Sequence, residues 1–265
     1  MSDPPKPLHD NVSRTKSSSP LGRAVFIGLR AADVWWQYSL LSQGWASQLI
    51  TKLGGSPVVA GDVWATSSSS LHLYYHLVSL LSVGSSIKQI ATMLLVSEQE
   101  TPVGSAALIA FFNTAFNTIN TLLALWARTS QAPASPSNTL WHFILANPTV
   151  TVGFSAYLVG ILTEAVSEFQ RRAFKQDPAN KDQPYGGGLF SLATNINYGG
   201  YTVWRAGYAM VAGGGPWAAT TFGFFFWDFA VRGVPVLDEY LVGRYGQAYE
   251  EIKARVRYRL ILWVY

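Results

Sequence analysis

Two long stretches of this chain are nearly free of charge, and they constrain its fold more than any other feature. From Val63 to Ile87 there is no Asp, Glu, Lys or Arg, and between Gln89 and Thr163 the charged residues are Glu98, Glu100 and Arg128. About 20 apolar residues at ~1.5 Å per residue cross the ~30 Å of hydrocarbon in a bilayer. Trp64 to Ile87 and Val103 to Ala127 are long enough to do so. Leu140 to Thr163 is a further candidate, with Pro148 as a kink that neighbouring helices accommodate. Charged residues make up 13% of the 265 residues, against about 25% in a soluble globular chain. Ten tryptophans and thirteen tyrosines suit a chain with many membrane–water interfaces, where amphipathic rings settle. A mean hydropathy of only +0.17 is compatible with this, because polar tails dilute the spans.

The remaining segments complete a polytopic, all-α membrane bundle of about five or six transmembrane helices. Residues 1–20 read as a disordered polar tail, 21–163 as N-terminal membrane helices, and 164–265 as a C-terminal membrane domain ending in a basic tail. Ala24 to Ile50 is interrupted by Arg30 and Asp33, so it is either a span with a polar face towards the bundle or a helix in the interface. A charged loop is expected from Glu164 to about Tyr185. Beyond it, Tyr201 to Ala212 and Pro216 to Val231 read as two short spans joined through Gly213-Gly214-Gly215, a helical hairpin. Arg171, Arg172, Lys175 and Lys181 in the loop and Lys253, Arg255, Arg257 and Arg259 in the tail place both on the cytosolic side, together with the N-terminus. The charge-free loop 129–138 falls on the opposite side.

The composition also excludes chemistry. With no cysteine there are no disulfides, no thiol catalysis and no Cys-based metal site. His72 and His76 stand one turn apart without a third ligand, so no metal is expected and polar packing is the better reading. Basic residues flank apolar segments instead of forming a stripe, which points to the lipid bilayer and not to nucleic acid.

Candidate binding residues lie in the C-terminal hundred residues. Glu164 and Glu168 are four apart and share a helix face, with Lys175 two turns on. Acids and a cation converging at a membrane edge suit the hydroxyls and phosphates of a nucleotide, or a solvated helix end. The glycine run Gly186-Gly187-Gly188 allows close backbone approach to a ligand, but no strand precedes it and no dinucleotide fingerprint is present. Arg205, and Asp228 with Arg232, are charges inside apolar stretches that must face a cavity or one another.

Glu168-Phe-Gln-Arg-Arg-Ala-Phe-Lys175, Gly187-Gly-Leu-Phe190, Asn197-Tyr198, Trp204 to Tyr208, Arg232, Tyr240 and Arg244-Tyr-Gly-Gln-Ala-Tyr249 occur in an order that resembles the steroid 5-alpha-reductase C-terminal domain superfamily. The likeness is nearest its uncharacterised membrane-protein branch, and the superfamily also holds sterol reductases and isoprenylcysteine carboxyl methyltransferases. It covers about Leu162 to Leu262. It implies a cytosol-facing NADPH pocket formed by Glu164, Glu168, Lys175, Asn197, Tyr198, Arg232 and Tyr240, hydride delivery to a carbon–carbon double bond of a hydrophobic or sterol-like lipid, and residence in the endoplasmic reticulum. The chain departs from the branch's Arg-His-Pro-Asn-Tyr, which is here Thr194-Asn-Ile-Asn-Tyr198. Tyr201 stands where an acid is usual, and Asp182-Gln183 where Tyr-Arg is usual. Hydrogen bonds to charged groups contribute about 1.5–3 kcal/mol each, so the losses weaken a dinucleotide site, and no catalytic residue is assigned. Two alternatives therefore accompany the reductase: a degenerate member serving as a membrane scaffold or lipid-binding protein, and a membrane methyltransferase using S-adenosylmethionine.

Overall fold

The computed structural model describes residues 13–58, 70–132 and 139–265, with side chains of residues 70–72 excluded. Nine α-helices are present among the described residues: α1 Pro20–Ser42, α2 Trp45–Lys52, α3 Ser70–Leu95, α4 Val103–Leu125, α5 Leu140–Ala146, α6 Pro148–Gln176, α7 Ile196–Asp228, α8 Val234–Tyr245 and α9 Gln247–Arg255. Strands are absent among them, so the all-α membrane bundle expected from the sequence is what forms. Leu73–Leu95, Val103–Leu125 and Pro148–Gln176 are long and apolar enough to cross a membrane.

Helix α1 runs alongside α3 and α4 with its charges turned inward. Arg30 and Asp33 are buried and ion-paired at 3.0 Å. Arg30 also donates to Ser86 at 2.7 Å, and Asn117 of α4 donates to Asp33 at 2.7 Å. Each buried charge is met by a partner, as an apolar surrounding requires.

Boundaries differ from those read off the sequence, and Ala24 to Ile50 is not one helix but parts of two, α1 and α2, separated at Gln43-Gly44, where Gly44 has φ 69°. The second span is displaced towards the C-terminus: α3 ends at Leu95 and contains Lys88, which is tolerated because acids on α6 neutralise it. The part of that candidate span at residues 64–69 lies outside the described residues. Leu140 to Thr163 is not one kinked span. It breaks at Asn147, whose side chain accepts from the N–H groups of Thr149 and Val150. Pro148 therefore starts α6, where its missing N–H is harmless. The charged segment from Glu164 is not a loop, since α6 continues as helix to Gln176.

The expected hairpin is present inside α7. Gly214 has φ 75°, a left-handed backbone that glycine adopts without Cβ strain. The chain turns back there, so that Phe229 stacks on Tyr198 with ring centroids 4.6 Å apart. A straight helix would set those residues roughly 46 Å apart at 1.5 Å per residue. A π-helical turn, Phe229–Gly233, joins the returning arm to α8. The last ten residues then pass beneath the start of α7, where the carbonyls of Tyr258 and Arg259 accept from Thr194 and Asn195 at 3.0 and 2.8 Å.

Candidate functional site

The site is built on the seam between α6 and the outgoing arm of α7. Gly153 and Gly160 on α6 face Gly200 and Gly207 on α7, each pair seven residues apart. A Cβ on Gly200 would lie 2.7 Å from the Glu164 nitrogen, and one on Gly207 would lie 2.5 Å from the Tyr157 nitrogen. Small residues at such contacts let membrane helices approach until their backbones touch. This contact sets Glu164 against Trp204, whose indole N–H donates to Glu164 Oε2 at 2.7 Å.

A cation from a third helix completes the cluster. Lys88 of α3 is ion-paired with Glu164 and lies 3.5 Å from Glu168, with only 9% of its side chain exposed. Thr92, one turn further on α3, donates to Glu168 Oε2 at 3.3 Å. Among the described residues, the hydrogen bond and ion pair of Glu168 both fall on Oε2.

These groups line a cavity of about 620 Å³. Its aromatic wall comes from Phe112 of α4 and from Tyr198, Tyr201, Phe224, Phe225 and Phe229 of the hairpin. Asp228 and Arg232 stand on the returning side, joined by two hydrogen bonds of 2.8 and 2.6 Å. Asn197 lines the cavity as well, is 4% exposed, and its Oδ1 has no hydrogen-bond partner among the described residues. Behind the wall lies Arg205, which donates to the Tyr201 hydroxyl at 3.1 Å and to Asn117 and Asn113, with its guanidinium 4.4 Å from the Trp204 ring centre.

Five of the seven residues singled out from the sequence therefore converge: Glu164, Glu168, Asn197, Tyr198 and Arg232. The other two are outside the cavity. Lys175 sits at the end of α6, where it donates to the Tyr245 hydroxyl at 2.9 Å and to the Gln183 carbonyl. Tyr240 is on α8, accepts from Arg244 at 2.7 Å and lies under the guanidinium of Arg14. Lys88 was missed by the sequence reading. Its signal is the charge itself, since it is the one Lys, Arg, Asp or Glu in α3, and a charge inside an apolar helix marks a functional site or a partner. Tyr74, between His72 and His76 in the sequence, is buried and donates to the carbonyls of Val211 and Ala212 at 3.1 Å each, which makes it a core tie. The side chain of His72 lies outside the described residues.

The charge inventory of the cavity bears on what it holds. Among the described residues, its lining carries two cations, Lys88 and Arg232, against four carboxylates, Glu100, Glu164, Glu168 and Asp228. Both cations are already ion-paired with lining acids. A dinucleotide's phosphates want unspent cations. An aromatic box with an excess of carboxylate instead favours a positively charged ligand.

Comparison with known proteins locates the chain further. The family described as "Protein of unknown function (DUF1295)" matches residues 101–256, a stretch that includes every candidate named above on α6 to α8 and leaves out Lys88. A protein of Ustilaginoidea virens named probable O-methyltransferase ustE is 38% identical over 234 residues, which is 86% of this chain and 81% of that protein. No solved structure matches the chain.

Proposed function

The chain belongs to the DUF1295 family, within the steroid 5-alpha-reductase-like superfamily, and on that premise we propose that it is a membrane-embedded O-methyltransferase acting on a hydroxyl of a lipid-soluble molecule. The observation that carries this reading is the carboxylate-rich, aromatic cavity at the α6–α7 seam. S-adenosylmethionine, when bound, supplies an electrophilic methyl group on a sulfonium cation. Glu164 and Glu168 give the cavity the negative potential that draws such a cation in. The faces of Tyr198, Tyr201 and Phe229 add about 0.5–2 kcal/mol for each cation–π contact. Asn197 lines the cavity beside these rings. The contacts of Glu168 with Lys88 and Thr92 fall on Oε2, and its carboxylate accepts the proton of a bound hydroxyl. Lys88 holds both carboxylates in place and balances part of their charge. The apolar wall from Phe112 to Phe224 excludes water and accepts a hydrophobic body.

A second reading, reduction of a carbon–carbon double bond in a lipid by NADPH, is favoured by Asn197 and Arg232. Both line the cavity and both belong to the NADPH pocket that the reductase resemblance implies. Side-by-side equilibrium binding of S-adenosylmethionine and NADPH to the purified protein in detergent separates the two. S-adenosylmethionine is expected to bind, and Glu164→Gln to weaken it by about tenfold or more, as loss of a charge-assisted contact does. Binding of NADPH alone would establish the reductase, and binding of neither would leave a scaffold or lipid-binding protein.

A further inference from the structure

Residues 13–19, ahead of α1, run along the edge of the cavity, with Ser13 in its lining. On one side this strap is fixed to the α3–α4 loop. The hydroxyls of Ser13 and Ser17 donate to Glu100 at 2.7 and 2.8 Å, Lys16 pairs with Glu98, and the Glu100 N–H donates to the Thr15 carbonyl at 3.0 Å. The Ser19 hydroxyl accepts from the Thr101 N–H at 2.8 Å. On the other side, the Arg14 guanidinium lies 5.2 Å from the ring centre of Tyr240 on α8. Ser13 and Glu100 of the first anchor and Gly233, which precedes α8, are all part of the cavity lining. The strap thus ties the α3–α4 loop to α8 along that edge.

Its fastening is polar, exposed and centred on one carboxylate. Ser17 is exposed, and its hydroxyl is within hydrogen-bond reach of an acid. Arg14 stands three residues before it and Lys16 directly before it, a cationic flank that fits an acidic substrate groove. We propose that Ser17 is a phosphorylation site and that its modification releases the strap and opens the cavity. A protein kinase with an acidic groove transfers the γ-phosphoryl group of ATP to Ser17 Oγ. One O–P bond forms, the bond to the β-phosphate oxygen breaks, ADP leaves, and the hydroxyl proton passes to the kinase's base. The donor to Glu100 becomes a group of about −1.5 to −2 charge facing a carboxylate, and like charges at that distance repel. The inference concerns access to the cavity and holds whichever cofactor the cavity takes.

Two measurements on the full chain in detergent test it. After incubation with ATP and a serine kinase selective for basic flanks, mass spectrometry is expected to find phosphate on Ser17, and an unmodified Ser17 overturns the assignment. The chain has no cysteine, so Ser105→Cys on the cavity lining gives a single reporter for a charged maleimide. Adding Ser17→Asp is expected to raise the labelling rate by about tenfold through repulsion of Glu100. Ser17→Asp with Glu100→Lys restores an opposite-charge pair and is expected to return the rate to that of the reporter alone. An unchanged rate in Ser17→Asp, or no reversal by Glu100→Lys, overturns the release mechanism.

Discussion

At the scale of single residues, the site depends on one lysine serving two acids. Lys88 is nearly buried, and so are its partners Glu164 and Glu168. Removing one member of a buried ion pair leaves uncompensated charge and costs about 3–5 kcal/mol. Lys88→Met should therefore destabilise the protein by that order in thermal or denaturant unfolding in detergent, and Lys88→Arg should recover part of the loss. Glu164 and Glu168 could be recognised in the sequence because their spacing puts them on one helix face. Lys88 carries the signal of a lone charge between two uncharged stretches, but nothing local pairs it with acids more than seventy residues away. Glu100 gives a residue-scale pH effect. Hydrogen bonds from Ser13 and then Ser17 hold its carboxyl below the usual carboxylate range. Folding thus favours the ionised form, and the strap contacts contribute stability above the ordinary Glu value that is lost as pH falls through the lowered one. Cleavage within residues 13–19 by an acid-tolerant protease should accelerate over that descent, and Glu100→Gln should abolish the pH dependence.

Among the elements, the α6–α7 seam positions the chemistry. Gly200→Val adds a branched side chain where a Cβ already meets the Glu164 backbone at 2.7 Å. Overpacking of this kind costs about 1–3 kcal/mol, and here it should also separate Glu164 from Trp204 and reduce ligand binding. Gly223, whose Cβ would meet nothing within 4 Å, is the matched control, and Gly223→Ala should leave the melting temperature unchanged. The hairpin was legible because Gly213-Gly214-Gly215 between two apolar runs is a local signal. The extent of α6 was not: residues 164–176 are too polar to read as a span, and they remain helical because the helix emerges from the apolar layer with Glu164 and Glu168 turned towards Lys88. Pro148 does not kink one span as the sequence suggested; it starts α6, because the Asn147 side chain caps that helix.

Across the whole molecule, the scarcity of charge made the membrane bundle legible, and the few charges that remain define its interior. Arg30, Asp33 and Arg205 meet in a buried polar network joining α1, α4 and α7. Lys88 and the two glutamates form a second cluster that borders the cavity. Five of the seven candidate residues meet at the cavity, because Glu164 and Glu168 on α6, Asn197 and Tyr198 on α7 and Arg232 in the π-helical turn lie on elements brought together by the α6–α7 seam and its hairpin. Lys175 and Tyr240 could not be sorted from them, since only the fold shows that α8 places Tyr240 beside the strap and that the end of α6 carries Lys175 past the cavity. The ligand proposed for the cavity rests on its summed charge, a property that no single motif contains. The most direct measurement is transfer of tritiated methyl from S-adenosylmethionine into organic-extractable lipid by the purified protein. Wild type is expected to label the extract, and Glu168→Gln to lower the rate by about 10²–10⁴-fold, the range for loss of a general base, while retaining measurable S-adenosylmethionine binding. An extract that stays unlabelled while the same protein oxidises NADPH would contradict the methyltransferase assignment.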